Sequence, residues 1–228
     1  MFNDRFGLTK AVLDGRKTMT RRIVQIPRKF KGVEDLTLEF QKRINSTFYY
    51  DCVVCDAGGH ELGQLPLPYN VGEVVAVTEC YENIYLSLPE TMRHDFSLRV
   101  ANSHHNNDLH SIPGWTNKMF TKANLMPQHI RITDLWFERL KEISDEDCLK
   151  EGVYKHPVPP KYHEYDPYSP WPPEVLPYKY SMDNYKYFAT PRAAFAYLIN
   201  KVCGFGTWES NPWEVAYEFE LERMGSEE

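Results

Sequence analysis

Between residues 213 and 221 the chain alternates without interruption, setting Trp213, Val215, Tyr217, Phe219 and Leu221 against Glu214, Ala216, Glu218 and Glu220. A period of two puts the first set on one face of a strand and the second on the other. The segment therefore predicts a C-terminal strand with one buried face, and obliges the rest of the chain to supply a sheet around it. A second alternation runs through Ile130, Ile132, Leu135, Phe137 and Leu140, and its change of phase predicts one long strand with a bulge near Asp134. Val74-Val75-Ala76-Val77 has no polar phase and reads as a strand buried on both faces. Shorter β-rich stretches cover residues 23–26, 36–40 and 46–54.

Helices are expected where caps meet apolar stripes. Residues 8–14 read as a short helix with Thr9 as its N-cap and Gly15 closing it. Ser144, with Asp147 three residues on, opens a helix that carries Cys148, Leu149 and Glu151 up to Gly152. Thr190 and Pro191 open another, over Pro191–Cys203, with Ala194, Phe195, Leu198 and Val202 as its stripe. Residues 83–117, rich in Asn, His and Ser, predict a loop with one short helix at about 89–96. Eight of the 16 prolines lie between Pro157 and Pro177, interleaved with Tyr and Trp, so residues 154–188 predict an irregular aromatic cover. The sum is an α+β fold, a small mixed-direction β-barrel flanked by helices, with a long Pro/Tyr-rich insertion.

With 42% hydrophobic and 25% charged residues, disordered, collagen-like and coiled-coil classes are excluded. No uncharged apolar run approaches the roughly 18 residues needed to span a bilayer, and the first residues lack a signal-peptide core. Five cysteines, an odd number in a chain able to bury its own core, are read as reduced thiols, so a cytoplasmic protein without a membrane partner is expected. Net charge is −6, yet residues 16–31 hold seven cations and no acid, leaving −13 on the remainder (−6 minus 7). One basic segment on an acidic body suits a focused anion site rather than sliding along nucleic acid, although a solvated charge run has the same composition.

The densest chemistry is Gly15-Arg16-Lys17-Thr18-Met19-Thr20-Arg21-Arg22, just past a helix exit. A Lys with a hydroxyl three residues on permits a Lys-activated Thr nucleophile, provided the amine is desolvated enough to lose its proton. Glu151 ends a helix, where the macrodipole disfavours a carboxylate, and so invites a cation such as Lys17 or Arg21. Cys52-Val53-Val54-Cys55 has the spacing of half a zinc site but no second pair, and His104, His105 and His110 sit in a polar loop, so no metal and no cofactor are expected.

Residues 12–22, read as Val-Leu-x-Gly-x-Lys-Thr-x-Thr-x-Arg, resemble the signature of the ASCH family of PUA-like β-barrel domains. Val71-Gly72-Glu73 through Glu79, Asn124-Leu125-Met126-Pro127, residues 143–147, Glu151-Gly152 and the stretch from Trp208 to Trp213 are similar, in order, to the longer ASCH-like proteins of phages and prophages. The resemblance implies a single PUA-like domain over 1–228, with insertions at about 27–70, 83–117 and 154–188. It implies a cleft by the first helix suited to RNA, single-stranded nucleic acid, or a small nucleoside or nucleotide. Some small ASCH proteins deacetylate N4-acetylcytidine, and their catalytic set, carried over by position, falls on Lys17 as base, Thr20 as nucleophile and Glu151 as the orienting or proton-transferring acid. Arg16, Thr18, Arg21, Arg22 and Glu79 would contact the ligand. This chain is about twice the size of those enzymes, and its Thr78-Glu79-Cys80-Tyr81 stands where the phage-type pattern has Arg-Glu-Thr-Trp. Three functions are expected in turn: a nucleic-acid or nucleotide binder, an amidohydrolase on N4-acetylcytidine-type nucleosides, and a phage accessory protein without catalysis.

Overall fold

The computed structural model describes residues 2–42, 50–155, 178–180 and 186–223. Its centre is β9 (Trp213–Arg223), the strand announced by the alternation. It lies between β1 (Met19–Ile23) and β6 (Gln128–Arg139), with β5 (Val74–Ala76) beyond, in the order β1-β9-β6-β5. The result is an α+β fold around a curled antiparallel half-barrel sheet. Every strand pair among the described residues is antiparallel, which corrects the mixed-direction barrel: hairpin-like and long returning connections bring each neighbour back against its partner. The phase change in β6 is a bulge between Ile132 and Asp134, and it keeps Ile130, Ile132, Leu135 and Phe137 on one face, opposite Phe219, Tyr217 and Val215.

A separate sheet, β2 (Thr37–Lys42), β3 (Tyr50–Cys55) and β4 (Glu61–Leu65), leans on the end of the first through Phe40. That ring stacks on Phe137 at 4.1 Å and meets Trp213 edge-on at 4.7 Å. Residues 43–49 lie outside the described residues. Of the cover, residues 156–177 and 181–185 lie outside as well. Its rims do carry regular structure despite the proline density: β7 (Tyr154–Lys155) pairs with β8 (Tyr178–Lys179), and buried Tyr180 packs on Phe6, Phe188 and Tyr197.

Several local expectations change. Helix α1 (Leu8–Leu13) is entered from a tight turn and capped by Gly7, so Thr9 lies inside it, its hydroxyl turned back to Asp4 and the Phe2 carbonyl. Residues 83–117 are largely helical, as α2 (Tyr81–Ser87) and α3 (Glu90–His104), because Phe96, Val100 and Ala101 form a stripe that the polar composition hides. These helices close a second apolar cluster with Ile84, Trp115 and Met126. Val74 and Val75 are not doubly buried, since β5 is an edge strand and Val74 is exposed. The strand placed at 23–26 lies earlier, at β1, so Thr20, Arg21 and Arg22 are strand residues.

Helix α4 (Asp145–Lys150) starts at Ser144, whose hydroxyl accepts from the Asp147 N–H at 3.0 Å, and α5 (Pro191–Cys203) starts at Thr190, accepting from the Ala193 N–H. In α5 the buried stripe is Ala194, Phe195, Leu198 and Ile199, with Val202 at the surface. A last turn, α6 (Thr207–Ser210), leads into β9. Among the described residues no helix is long and apolar enough to cross a membrane. Because Ser144 holds the helix that ends at Glu151, Ser144→Ala is expected to lower unfolding free energy by about 1 kcal/mol in denaturant titration. An unchanged midpoint would show that the cap does not set the helix.

Candidate functional site

The Gly15-Thr20 turn is built by three anchors. Gly15 leaves α1 at φ +73°, in the left-handed region that glycine enters at least cost. The N–H groups of Arg16 and Lys17 both donate to the Ala11 carbonyl, holding the turn to α1. Thr18 then joins α4 to β9, its N–H donating to the Lys150 carbonyl and its carbonyl accepting from the Phe219 N–H, each at 2.9 Å. Gly152, at φ +103°, turns the chain after α4 and lies against the Lys17 stem, where a Cβ would be 3.5 Å from Lys17 Cβ. Thus the backbone alone brings residues 17 and 151 together.

Their side chains complete the contact. Lys17 is 2% exposed, and its Nζ donates to Glu151 Oε2 at 2.5 Å and to the Glu151 carbonyl at 2.9 Å. Arg21 grips the other carboxylate oxygen, Nη1 to Oε1 at 3.2 Å. The cation that the helix end invites is therefore present twice. Arg21 also donates from Nη2 to Glu138 Oε1 at 2.6 Å, stands 3.6 Å from Asp147 Oδ2, and places Nε 2.6 Å from Glu214 Oε1, a charge contact without good hydrogen-bond geometry. Sheet register explains this reach: Arg21 pairs with Ala216, Glu214 is two residues along on the same face, and Glu138 lies directly opposite Glu214. Arg21 is thus buried with both Nη groups held by protein carboxylates, away from the surface where the ligand contact expected of it would be made.

Two cations face four carboxylates in this cluster. The excess is relieved at Glu214, fully buried, whose pKa is pushed up to about 8 by burial and by Glu151 and Glu138, against the pull of Arg21. Burial also lowers the Lys17 ammonium below its ordinary range, with Glu151 opposing and Arg22 and Arg21 reinforcing the shift. Arg21 moves upward, since its carboxylate neighbours more than offset burial. Glu138, Asp147 and Glu214 were not among the expected site residues. For Glu138 and Glu214 the signal is acids on the polar phase of β6 and β9, legible only once β1 is known to pair with β9, while Asp147 lies in the first turn of α4.

The other expected residues are dispersed. Thr20 is buried on the face of β1 opposite Arg21, paired with Tyr217, and its hydroxyl has no hydrogen bond among the described residues. Arg16 is half-buried, 3.5 Å from Asp14 and over the Tyr154 ring. Thr18 is half-buried at the turn. Arg22 shares the Thr20 face, is half-buried, and has no hydrogen bond or ion pair among the described residues. It lines a cavity of about 290 Å³ with Val24, Cys52, Leu65, Pro68 and Val215. Glu79 lies elsewhere, beside Asp4 and Lys118 across α1. Cys52 and Cys55, three apart on β3, project to opposite faces and are buried, and among the described residues no three His, Cys, Asp or Glu side chains could hold a metal ion.

No family model, curated protein or solved structure matches this chain.

The raised Glu214 carboxyl gives a signed expectation. Between its ordinary value of 4.5 and about 8 the folded chain holds a proton that the unfolded chain releases, so stability is full below that window and is lost as pH rises through it. Glu214→Gln, neutral at every pH, is expected to lose less melting temperature between about pH 6 and about pH 9 than the unsubstituted chain. Equal slopes would mean that Glu214 is already ionised in the fold.

Proposed function

We propose that this chain is a nucleic-acid- or nucleotide-binding module of the ASCH, PUA-like type, taking RNA or a modified nucleoside in the cavity beside β1. The observation that carries this reading is Arg22. Of the basic segment, Lys17 and Arg21 are locked in buried ion pairs, Arg16 meets Asp14, and Lys29 meets Glu34 at the surface. Arg22 alone combines partial burial, freedom from any ion pair among the described residues, and a place in a cavity wall. A guanidinium withdrawn from water without a partner is costly, and its planar fork matches a phosphate or a base edge. Pro66, Pro68 and Val215 offer that cavity an apolar wall for a base, and its size suits a single nucleotide rather than a duplex. The net charge of −6 favours such a focused contact over general attraction.

A second reading, an amidohydrolase on N4-acetylcytidine-type nucleosides, is favoured by the buried Lys17-Glu151 pair together with the unbonded Thr20 hydroxyl. It requires Lys17, its ammonium weakened by burial, to pass its proton toward Glu151, and requires the Thr20 hydroxyl, which makes no hydrogen bond to Lys17 in this fold, to be brought to the freed amine and give up its proton there. Thr20 Oγ1 attacks the acetyl carbonyl, the amine leaves with a proton, and water hydrolyses the acetyl-threonine ester to regenerate the hydroxyl.

Both readings are separated by titrating the chain with nucleosides, nucleotides and N4-acetylcytidine, following melting temperature, and chromatographing the mixtures. The binding reading expects stabilisation without turnover, and a loss of affinity of about tenfold or more in Arg22→Ala. Release of acetate that disappears in Lys17→Ala, folded by circular dichroism, would favour the hydrolase. No stabilisation and no turnover would contradict both.

A further inference from the structure

A second cavity, of about 550 Å³, lies between α1 and α2, away from Arg22. Several of its polar groups are already engaged: Asp4 pairs with Lys118 at 2.6 Å, Thr9 bonds Asp4, and Ser87 Oγ donates to the Ile84 carbonyl. Three groups in its wall are not. Lys10 and the Asn83 amide make no side-chain hydrogen bond or ion pair among the described residues, and the half-buried Glu79 carboxylate accepts none. Leu86, 60% exposed at the rim, and Leu13 add apolar surface. A half-buried unpaired carboxylate and an exposed unpaired ammonium on the wall of one concavity that also has apolar side chains suit a ligand that offers hydrogen-bond donors, negative charge and an apolar body.

We propose that this cavity is a guanine-selective nucleotide site, in which Glu79 accepts from the N1–H and exocyclic amine of the base and Lys10 holds the phosphate. The proposal rests on the nucleotide-binding reading above. Guanine is singled out because its Watson–Crick edge carries two adjacent donors, matching the two oxygens of one carboxylate. Adenine and cytosine offer one amine beside an acceptor, and uracil one N–H between two carbonyls, so each leaves a Glu79 oxygen unsatisfied. Asn83 in the same wall supplies an amide for the neighbouring acceptor, and Leu86 and Leu13 supply apolar surface for the ring. Burial and the nearby Asp4 raise the Glu79 carboxyl above its ordinary value, Lys118 opposing, so the group gains from a ligand that brings donors.

The test is calorimetric titration of Arg22→Ala, which weakens binding in the cavity beside β1, with the monophosphates of guanosine, adenosine, cytidine and uridine, with guanosine, and with free arginine. Guanosine monophosphate is expected to bind about tenfold or more tighter than the other nucleotides. Glu79→Gln, checked for an unchanged circular dichroism spectrum, is expected to abolish that preference, and Lys10→Ala to weaken the monophosphate but not guanosine. Nucleotide binding without guanine preference, or a preference that survives Glu79→Gln, overturns this proposal and leaves the broader reading standing. Tight arginine binding in place of guanosine monophosphate assigns the cavity to a guanidinium ligand and likewise overturns it. If no nucleotide binds either Arg22→Ala or the unsubstituted chain, both readings fail.

Discussion

The Glu151 carboxylate, held out of water between Lys17 and Arg21, ties the elements of the site together. It is carried at the end of α4, a position the helix dipole makes unfavourable for an acid, so its two cations are a requirement of the fold. Lys17 comes from the turn after α1 and Arg21 from β1, and Arg21 continues to Glu138 on β6 and Glu214 on β9. One carboxylate thereby fixes a turn, a helix end and three strands in register. Removing a single partner from such a cluster leaves a buried charge uncompensated, at a cost of about 3–5 kcal/mol.

The same cluster divides the basic segment by role. What reads in the sequence as one patch of seven cations is, in the fold, a buried structural pair, Lys17 and Arg21, and a set of outward residues of which Arg16 and Arg22 are half-buried, Arg16 beside Asp14 and Arg22 without an ion pair among the described residues. Strand alternation makes the division: Arg21 and Arg22 are neighbours, so one turns to the acids and the other to the cavity. The buried place of Arg21 among the acids and the place of Arg22 in the cavity wall thus follow from a single register.

Much of this was legible in the chain. The alternation of β9, the bulge in β6, the caps at Ser144 and Thr190 and the need of Glu151 for a cation are local signals, each decided by a few neighbouring residues. What escaped depends on pairing across the chain. β9 reads as having one buried face, yet Glu214 on its polar phase is fully buried, because β1 brings Arg21 against it from nearly 200 residues away. A periodic pattern reports which residues share a face, and cannot report whether a polar face meets water or an arginine. Thr9 failed for a simpler reason, since a hydroxyl inside a helix looks, in sequence, like a cap; and the short helix expected at about 89–96 is the start of α3, whose sparse apolar stripe hides its continuation to His104.

The central claim is that Lys17 and Glu151 are energetically coupled across the fold, and a double-mutant cycle measures this directly. Denaturant unfolding of the chain, Lys17→Met, Glu151→Gln and the double variant at neutral pH gives the coupling free energy. A value above about 1 kcal/mol, with the double variant less destabilised than the sum of the two single ones, is the predicted result. Coupling near zero, the two losses simply adding, would contradict the account and leave the two side chains as neighbours without a shared role.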